Sequence, residues 1–365
     1  MEEDEEFLTC NNFEHVYNKK IIYEELSPLF RNKELLYENI FLDSIVSIYE
    51  YIVKYSSDIA FLDGLEEVLS YYNNAFSIDP YTTLQIMVKK HDDFVERENM
   101  MCSLKQKSID NEDDLYDKII YYFDYIGNTL EISVKGIIYE LNALILIMKN
   151  KDADYEKICS FDFGVAIANI LDQNYLKDIL CIEPLKIKLS DWRNIAKHHS
   201  YRINNNIITC VYGKAQNSFD ICFEDFLDYT YKITRSSNIL NIARCIFVYD
   251  NLDALSHLPR RDINLVYFRD KIIFEQITKS LRLQGFILGK IEKKELTLDV
   301  EITDLLYSNN CVDEFLRRRE NSYIRIFKDK FPLLKISRIN IKYFDKYGNI
   351  RDVLWLEPKM NGNIL

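Results

Sequence analysis

Arg193, Asn194 and His198 fall within one short segment, Arg193-Asn194-Ile195-Ala196-Lys197-His198, and a second histidine, His199, follows directly. An arginine, an amide and an imidazole together can cleave an RNA phosphodiester without a metal. The imidazole titrates near neutrality, so it can take a proton from a 2′-hydroxyl or return one to a leaving 5′-oxygen. The guanidinium offers a planar fork of donors that fits a phosphate and keeps its charge at every relevant pH. Internal attack by the 2′-hydroxyl needs no separately bound nucleophile, so positioning and charge stabilisation carry the reaction. The expected products are a 2′,3′-cyclic phosphate or its hydrolysed 3′-phosphate, and a 5′-hydroxyl; DNA should be inert. Of the five histidines in the chain (His15, His91, His198, His199 and His257), two sit here. The bland alternative is a solvated polar face of a surface helix.

A short amphipathic helix must carry these residues. Pro184 ends the preceding segment, Ser190 is the expected N-cap, and Asp191 complements the positive end of the helix dipole. The polar run Asn204-Asn205-Asn206 is expected to terminate it. At about 100° per residue, Trp192, Ile195, Ala196 and His199 form one apolar face. Asn194 and His198 are i, i+4 neighbours on another face, with Arg193 beside them. This spacing assigns proton transfer to His198 and packing to His199. His199, Tyr201 and Lys197 remain accessory candidates.

Charge narrows the partners. At a net −12 and a sequence pI near 5.1, the chain cannot hold nucleic acid through a general electrostatic coat, so any RNA contact must be local. Residues 184–202 carry Lys186, Lys188, Arg193, Lys197 and Arg202 against Asp191 alone, a local net of +4. Residues 317–342 carry Arg317, Arg318, Arg319, Arg325, Lys328, Lys330, Lys335, Arg338 and Lys342 against Glu320 and Asp329, a net of +7. Lys186, Lys188, Arg202, Arg317, Arg318 and Arg319 are therefore the candidates for RNA contact. Tyr323, Phe327 and Phe331 interleave with the second stretch; their i, i+4 spacing favours core packing over base stacking.

The pattern Arg-Asn-x-x-x-His, carried by Arg193, Asn194 and His198, resembles the R-x4-6-H motif of the HEPN superfamily, all-helical domains found in RNA-cleaving toxins and antiviral effectors. The resemblance implies a composite, metal-independent ribonuclease site formed where two motifs face each other across an interface. It implies that Arg193 binds the scissile phosphate, that His198 moves protons around the 2′-hydroxyl and that Asn194 orients them. A branch paired with nucleotidyltransferase antitoxins extends the motif to R-x4-6-H-x-Y, which this chain fits only through Arg193, His199, Ser200 and Tyr201. The implied partners are an RNA substrate (tRNA, mRNA or rRNA), a second copy of the chain, and a cognate inhibitor or trigger-sensing partner, in a toxin or anti-phage role. The competing expectation is a catalytically silent HEPN-like scaffold that uses the same basic helix to dock a partner.

The expected fold is mainly α: a HEPN-type helical bundle with a β-hairpin insertion and a smaller α+β C-terminal region. The expected division is an N-terminal helical region 1–107, a HEPN-like domain 108–256 and an α+β region 257–365, with the polar stretch Ser108 to Asp114 as the first boundary. Residues 34–56 have helical periodicity, and Asp79-Pro80 starts a further helix past Met87. Residues 115–149 read as a long apolar region broken or bent near Gly127 and Gly136, with 161–180 and the motif helix completing the bundle. Glu131 and Glu140 lie on the long region and read as exposed helix charges, with a contact to the motif as the alternative. Strand-like segments are Ile207 to Tyr212 and Phe219 to Phe223 around a Gly213–Asn217 turn. Helix resumes from about Glu224 to Asp253. Four more strands read as Phe286 to Ile291, Leu296 to Ile302, Leu333 to Phe344 and Arg351 to Leu356, the last two around an Asp345–Asn349 turn.

Other chemistries find little footing. The acidic start Met1-Glu2-Glu3-Asp4-Glu5-Glu6 is the opposite of a signal peptide's basic region, and no run of apolar residues is long enough for a membrane span. The eight cysteines, without a C-x-x-C pair, read as core residues in a reducing cytoplasm. No P-loop, G-x-G-x-x-G, G-x-S-x-G, H-E-x-x-H or zinc-type spacing is present, and neither a cofactor nor a metal is expected. Glu292-Lys293-Lys294, preceded by Asp262 and Asp270, resembles a PD-(D/E)xK nuclease core only in a pattern too permissive for a charged chain.

Overall fold

In the computed structural model the described residues are 19–38, 43–89, 95–97, 99–101, 114–258, 269–305, 323–324, 326–327 and 334–357. They are mainly helical, with small sheets. In chain order the helices are α1 (Lys19–Leu26), α2 (Lys33–Glu38), α3 (Asp43–Lys54), α4 (Ile59–Ile78), α5 (Pro80–Lys89) and α6 (Leu115–Asn128). A π-helical turn (Thr129–Val134) joins α6 to α7 (Lys135–Met148). Next come α8 (Tyr155–Cys159), α9 (Phe163–Leu171), α10 (Lys177–Leu180), the strand pair β1 (Cys181–Ile182) and β2 (Ile187–Lys188), and the motif helix α11 (Leu189–Lys197). Strands β3 (Tyr201–Asn204), β4 (Ile207–Tyr212) and β5 (Asn217–Cys222) precede the long α12 (Phe223–Asp250) and short α13 (Leu252–Ser256). Last are α14 (Asp270–Leu283), β6 (Phe286–Lys294), β7 (Thr297–Asp304), β8 (Arg338–Asp345) and β9 (Ile350–Leu356).

The chain groups into two units, one of residues 29–32 and 50–266, the other of residues 1–28, 33–49 and 267–365. In the first, local caps set the helix starts. Asp58 accepts from the Phe61 N–H at 3.1 Å to open α4, and Asp79 accepts from the Thr82 N–H at 3.0 Å to open α5, with Pro80 at its first turn. The boundary stretch Ser108 to Asp114 lies outside the described residues except for Asp114, whose carboxylate accepts from the Tyr116 N–H at 2.8 Å and caps α6.

Helix α7 is the centre of this unit: from Gly136 to Ile145 every residue is buried, as expected of a helix that is apolar all round. Packed with it, α4 contributes Leu65, Val68 and Tyr72, and α12 contributes Leu240, Ala243 and Phe247. Glu140 sits inside this core. Arg244 of α12 donates to it at 2.8 Å, the Tyr72 hydroxyl donates at 3.2 Å, and both charged side chains are at most 6% exposed. The expectation of Glu140 as an exposed charge is thus overturned. An unpaired carboxylate could not remain at this depth.

The expected hairpin is a three-stranded antiparallel sheet in order β3-β4-β5, with β3 pairing Tyr201 to Cys210 and Asn204 to Ile207. In the second unit a four-stranded sheet runs β6-β7-β8-β9: two antiparallel hairpins are joined through a parallel β7/β8 pair. Ile273, Ile277 and Leu281 of α14 pack with the alternating Leu298, Val300 and Ile302 of β7 and Ile339 and Ile341 of β8. The Asp345–Asn349 turn forms as expected: Asp345 accepts from the Tyr347 and Asn349 N–H groups at 2.9 Å, and Gly348 takes φ +83°. Tyr323 and Phe327 are buried in this core, in keeping with their helical spacing. Arg317, Arg318, Arg319, Arg325, Lys328, Lys330 and Phe331 lie outside the described residues, as do His15, His91 and Asp262. Among the described residues no helix is long and apolar enough to cross a membrane.

Candidate active site

Helix α11 starts and ends differently from the sequence expectation. It begins at Leu189, straight from β2, so the N-cap position is Lys188 and Ser190 lies buried in the first turn. Asp191 does occupy the first turn, where burial raises its pKa and Lys188 partly offsets that effect. At the other end the Ser200 N–H donates to Ile195 O at 2.9 Å and the His199 N–H to Ala196 O at 3.5 Å, the paired bonds of a Schellman stop. His199 occupies the left-handed position of that stop, at φ +50°, where glycine is the usual residue. The asparagine run therefore does not end the helix: Asn204 closes β3, and Asn205, at φ +52°, makes the turn into β4.

The Schellman stop also overturns the expected role of His199. Once the chain leaves helical geometry at His198, the i+7 argument no longer reaches His199. It is exposed instead of packed, its Nδ1 lying 3.5 Å from the Tyr201 hydroxyl. Tyr201 stacks on Phe123 of α6 at 3.8 Å between ring centroids, which places the end of the motif against α6. The rest of the apolar face behaves as expected. Ile195 and Ala196 are buried, and Trp192 is fully enclosed against Phe219 of β5 and Tyr229 of α12.

Two helices grip the motif from beneath. Helix α11 runs antiparallel to α6 and the π turn: Gly127 faces Ala196, Asn128 accepts a hydrogen bond from Lys197 Nζ, and Glu131 meets Arg193. A Cβ at Gly127 would lie 3.1 Å from the Ala196 Cβ, so this glycine permits the close approach; the expected break near it falls one residue on, where α6 ends at Asn128 and the π turn begins. Arg193 Nε donates to Glu131 Oε2 at 2.7 Å, Nη2 lies 2.7 Å from the same oxygen, and Nη1 donates to Asn194 Oδ1 at 3.0 Å. Two of the five guanidinium N–H groups are thus hydrogen-bonded, on Nε and Nη1, while Nη2 makes an ion-pair contact. Glu131 is shared: Lys135 Nζ donates to its Oε1 at 2.6 Å. Burial pushes the Glu131 carboxyl up, but the bonds from Lys135 and Arg193 overcome it and hold the pKa below the usual range. Burial also pushes the nearby Tyr139 phenol up to about 12; its hydroxyl donates to Phe161 O at 2.7 Å.

Arg193 and Asn194 are thus in direct contact, with Arg193 partly exposed and Asn194 exposed. His198 caps the helix end, its N–H donating to Asn194 O at 3.0 Å, and its imidazole is exposed with no hydrogen bond to Arg193 or Asn194 among the described residues. Lys186 is exposed beside Glu183 at 3.6 Å, Lys188 is half-buried, and Arg202 is exposed on β3 opposite Thr209. Lys135 and Asn128 escaped the sequence reading. The i, i+4 spacing of Glu131 and Lys135 was a usable signal for the first; nothing marked Asn128. Lys293 pairs with Asp270 at 2.8 Å, and among the described residues no group of three or more His, Cys, Asp or Glu could hold a metal ion.

Chemically, the arrangement offers a preset guanidinium fork at the surface, flanked by a second cation and an exposed imidazole at the end of one short helix. Comparison with family models, with curated proteins and with solved structures finds no match to this chain.

Proposed function

We propose that this chain is a metal-independent endoribonuclease of HEPN type, acting as a toxin or anti-phage effector. Arg193 would bind the scissile phosphate, His198 would move the proton of the 2′-hydroxyl or of the leaving 5′-oxygen, and Asn194 would orient the pair. The observation that carries the reading is the state of Arg193. Glu131 and Asn194 hold its guanidinium by three contacts, yet the residue stays partly exposed, so donors remain for a phosphate to take. Lys135 and Arg193 together outweigh Glu131, so the local charge stays positive in an acidic protein. The 2′-oxygen attacks phosphorus, the bond to the 5′-oxygen breaks, and a 2′,3′-cyclic phosphate and 5′-hydroxyl result. A second copy of the chain, related by a two-fold axis, would supply the opposing Arg193 and His198 and make cleavage depend on assembly.

The Glu131 contact also favours a second reading, a silent scaffold in which Arg193 serves only to join α11 to the π turn. One experiment separates them. Purified protein is incubated with end-labelled tRNA and single-stranded RNA in EDTA, beside folded Arg193→Ala and His198→Ala variants. Cleavage by wild type alone, leaving 2′,3′-cyclic or 3′-phosphate ends, supports the enzyme. Equal cleavage by all three removes these residues from the chemistry. A function in vivo that survives His198→Ala favours the scaffold.

A further inference from the structure

The helical stretch from Leu115 to Met148 changes register once, and the change falls on the residues that grip Arg193. The Lys135 N–H donates to Leu130 O, five residues back, which is the π pattern. One residue inserted into an α-helix rotates everything beyond it by about 100°. On the near side of the turn Gly127 and Asn128 face α11, and within it Glu131 does the same. On the far side α7 gives Ile137, Ile138, Leu141 and Leu144 to the core. A continuous α register would swing one of these two faces out of place. The turn also carries a visible cost: the Thr129 hydroxyl is buried without a hydrogen-bond partner among the described residues, where a helical threonine commonly returns its hydroxyl to a carbonyl one turn back. A latch from α12 holds it. Asn241 Nδ2 donates to Ser133 Oγ at 2.8 Å and to Ser237 O at 2.8 Å, so the amide is fixed on its own helix while it holds the turn. In sequence Ser133 lies midway between Glu131 and Lys135, the two halves of the ion pair beneath Arg193, and its own side chain meets α12.

We propose that the π turn, latched by Ser133 and Asn241, is a positioning device that fixes the Glu131 carboxylate under Arg193. Ser133 and Asn241 are then positioning residues, and their part in catalysis rests on the ribonuclease reading above. A carboxylate displaced by an ångström would misaim the guanidinium fork without removing it, so the loss falls on turnover and leaves substrate affinity largely intact.

The test uses the full chain with Ser133→Ala, which deletes the acceptor, and Ser133→Thr, which keeps the hydroxyl. Two quantities are read: kcat and KM for RNA cleavage, and the exchange rate of the Arg193 Nε–H by nuclear magnetic resonance, which is slow while it donates to Glu131. Ser133→Ala should lower kcat by about tenfold to a hundredfold with little change in KM and should accelerate Nε–H exchange; Ser133→Thr should restore both. Wild-type kcat and exchange in Ser133→Ala would overturn the proposal, as would a loss that tracks melting temperature and is not restored by Ser133→Thr. If wild type cleaves no RNA, the ribonuclease reading fails by itself. The exchange rates then decide the positioning claim: faster exchange in Ser133→Ala with rescue supports it, and unchanged exchange overturns it.

Discussion

Replacing Glu131 by glutamine keeps the shape of the side chain and removes its charge, which isolates the ion pairs beneath Arg193. The carboxylate contacts Arg193 at 2.7 Å and Lys135 at 2.6 Å, and about a third of each acidic and lysine side chain remains exposed. Solvent screening at that exposure limits each pair to about 0.2–1 kcal/mol, so Glu131→Gln should cost about 0.5–2 kcal/mol at pH 7. A unit of this size loses about 2–4 °C in melting temperature per kcal/mol. The pH dependence has a defined sign. Because the folded pKa of Glu131 is depressed, its contribution is present above the unfolded value and lost as pH falls through the folded one. The gap between wild type and Glu131→Gln should therefore be full at pH 7 and close below about pH 4. Urea unfolding at pH 7, 5 and 3, run also on Arg193→Gln and the double variant, gives the coupling directly. A gap that persists undiminished at pH 3, or a coupling of zero between Glu131 and Arg193, would refute the assignment of this effect to carboxylate charge.

Two further outcomes follow from the geometry. Glu140→Ala should destabilise by about 3–5 kcal/mol because it removes the buried carboxylate that Arg244 pairs with, whereas Glu140→Leu combined with Arg244→Met should recover most of that loss; denaturant melts of the single and double variants check both. His199→Gly should raise stability by about 0.5–1 kcal/mol, the relief of a left-handed side-chain conformation less the greater freedom of glycine in the unfolded chain, and thermal unfolding will show a destabilisation instead if the His199–Tyr201 contact matters more.

Sequence patterning located the elements whose cause is local. Asp79-Pro80 marks its own helix start, Ile207 to Tyr212 is a β-branched run bounded by turn residues that becomes β4, and Asp345–Asn349 carries its turn chemistry within a few residues. It failed where the cause is distant or conformational. Glu131 and Glu140 look alike on a helical wheel, yet one pairs with Arg193 at the surface and the other with Arg244, more than a hundred residues away in α12. The helix stop at His199 depends on a single positive φ that residue type alone would assign to glycine. β3 is too short for alternation to declare it, and the phase shift made by the π turn is hidden because α7, which follows it, is buried on every side from Gly136 to Ile145. For the site itself, the Arg193, Asn194 and His198 grouping was legible, and Lys135 was within reach of the i, i+4 rule.

The parallel join between β7 and β8 has a kinetic consequence. Each flanking hairpin pairs residues near in sequence, so β6/β7 and β8/β9 can zip within about 1–10 μs. The join must instead bring together partners such as Asp299 and Asn340, 41 residues apart, and pays loop-closure entropy before any ladder bond rewards it. The order expected on these grounds is hairpins first and join last, which leaves the central edges of β7 and β8 unpaired until the join closes, and an unpaired edge is a template for another chain. The lifetime of that half-built sheet, more than the stability of the finished one, would set how much of the newly made chain is lost to aggregation.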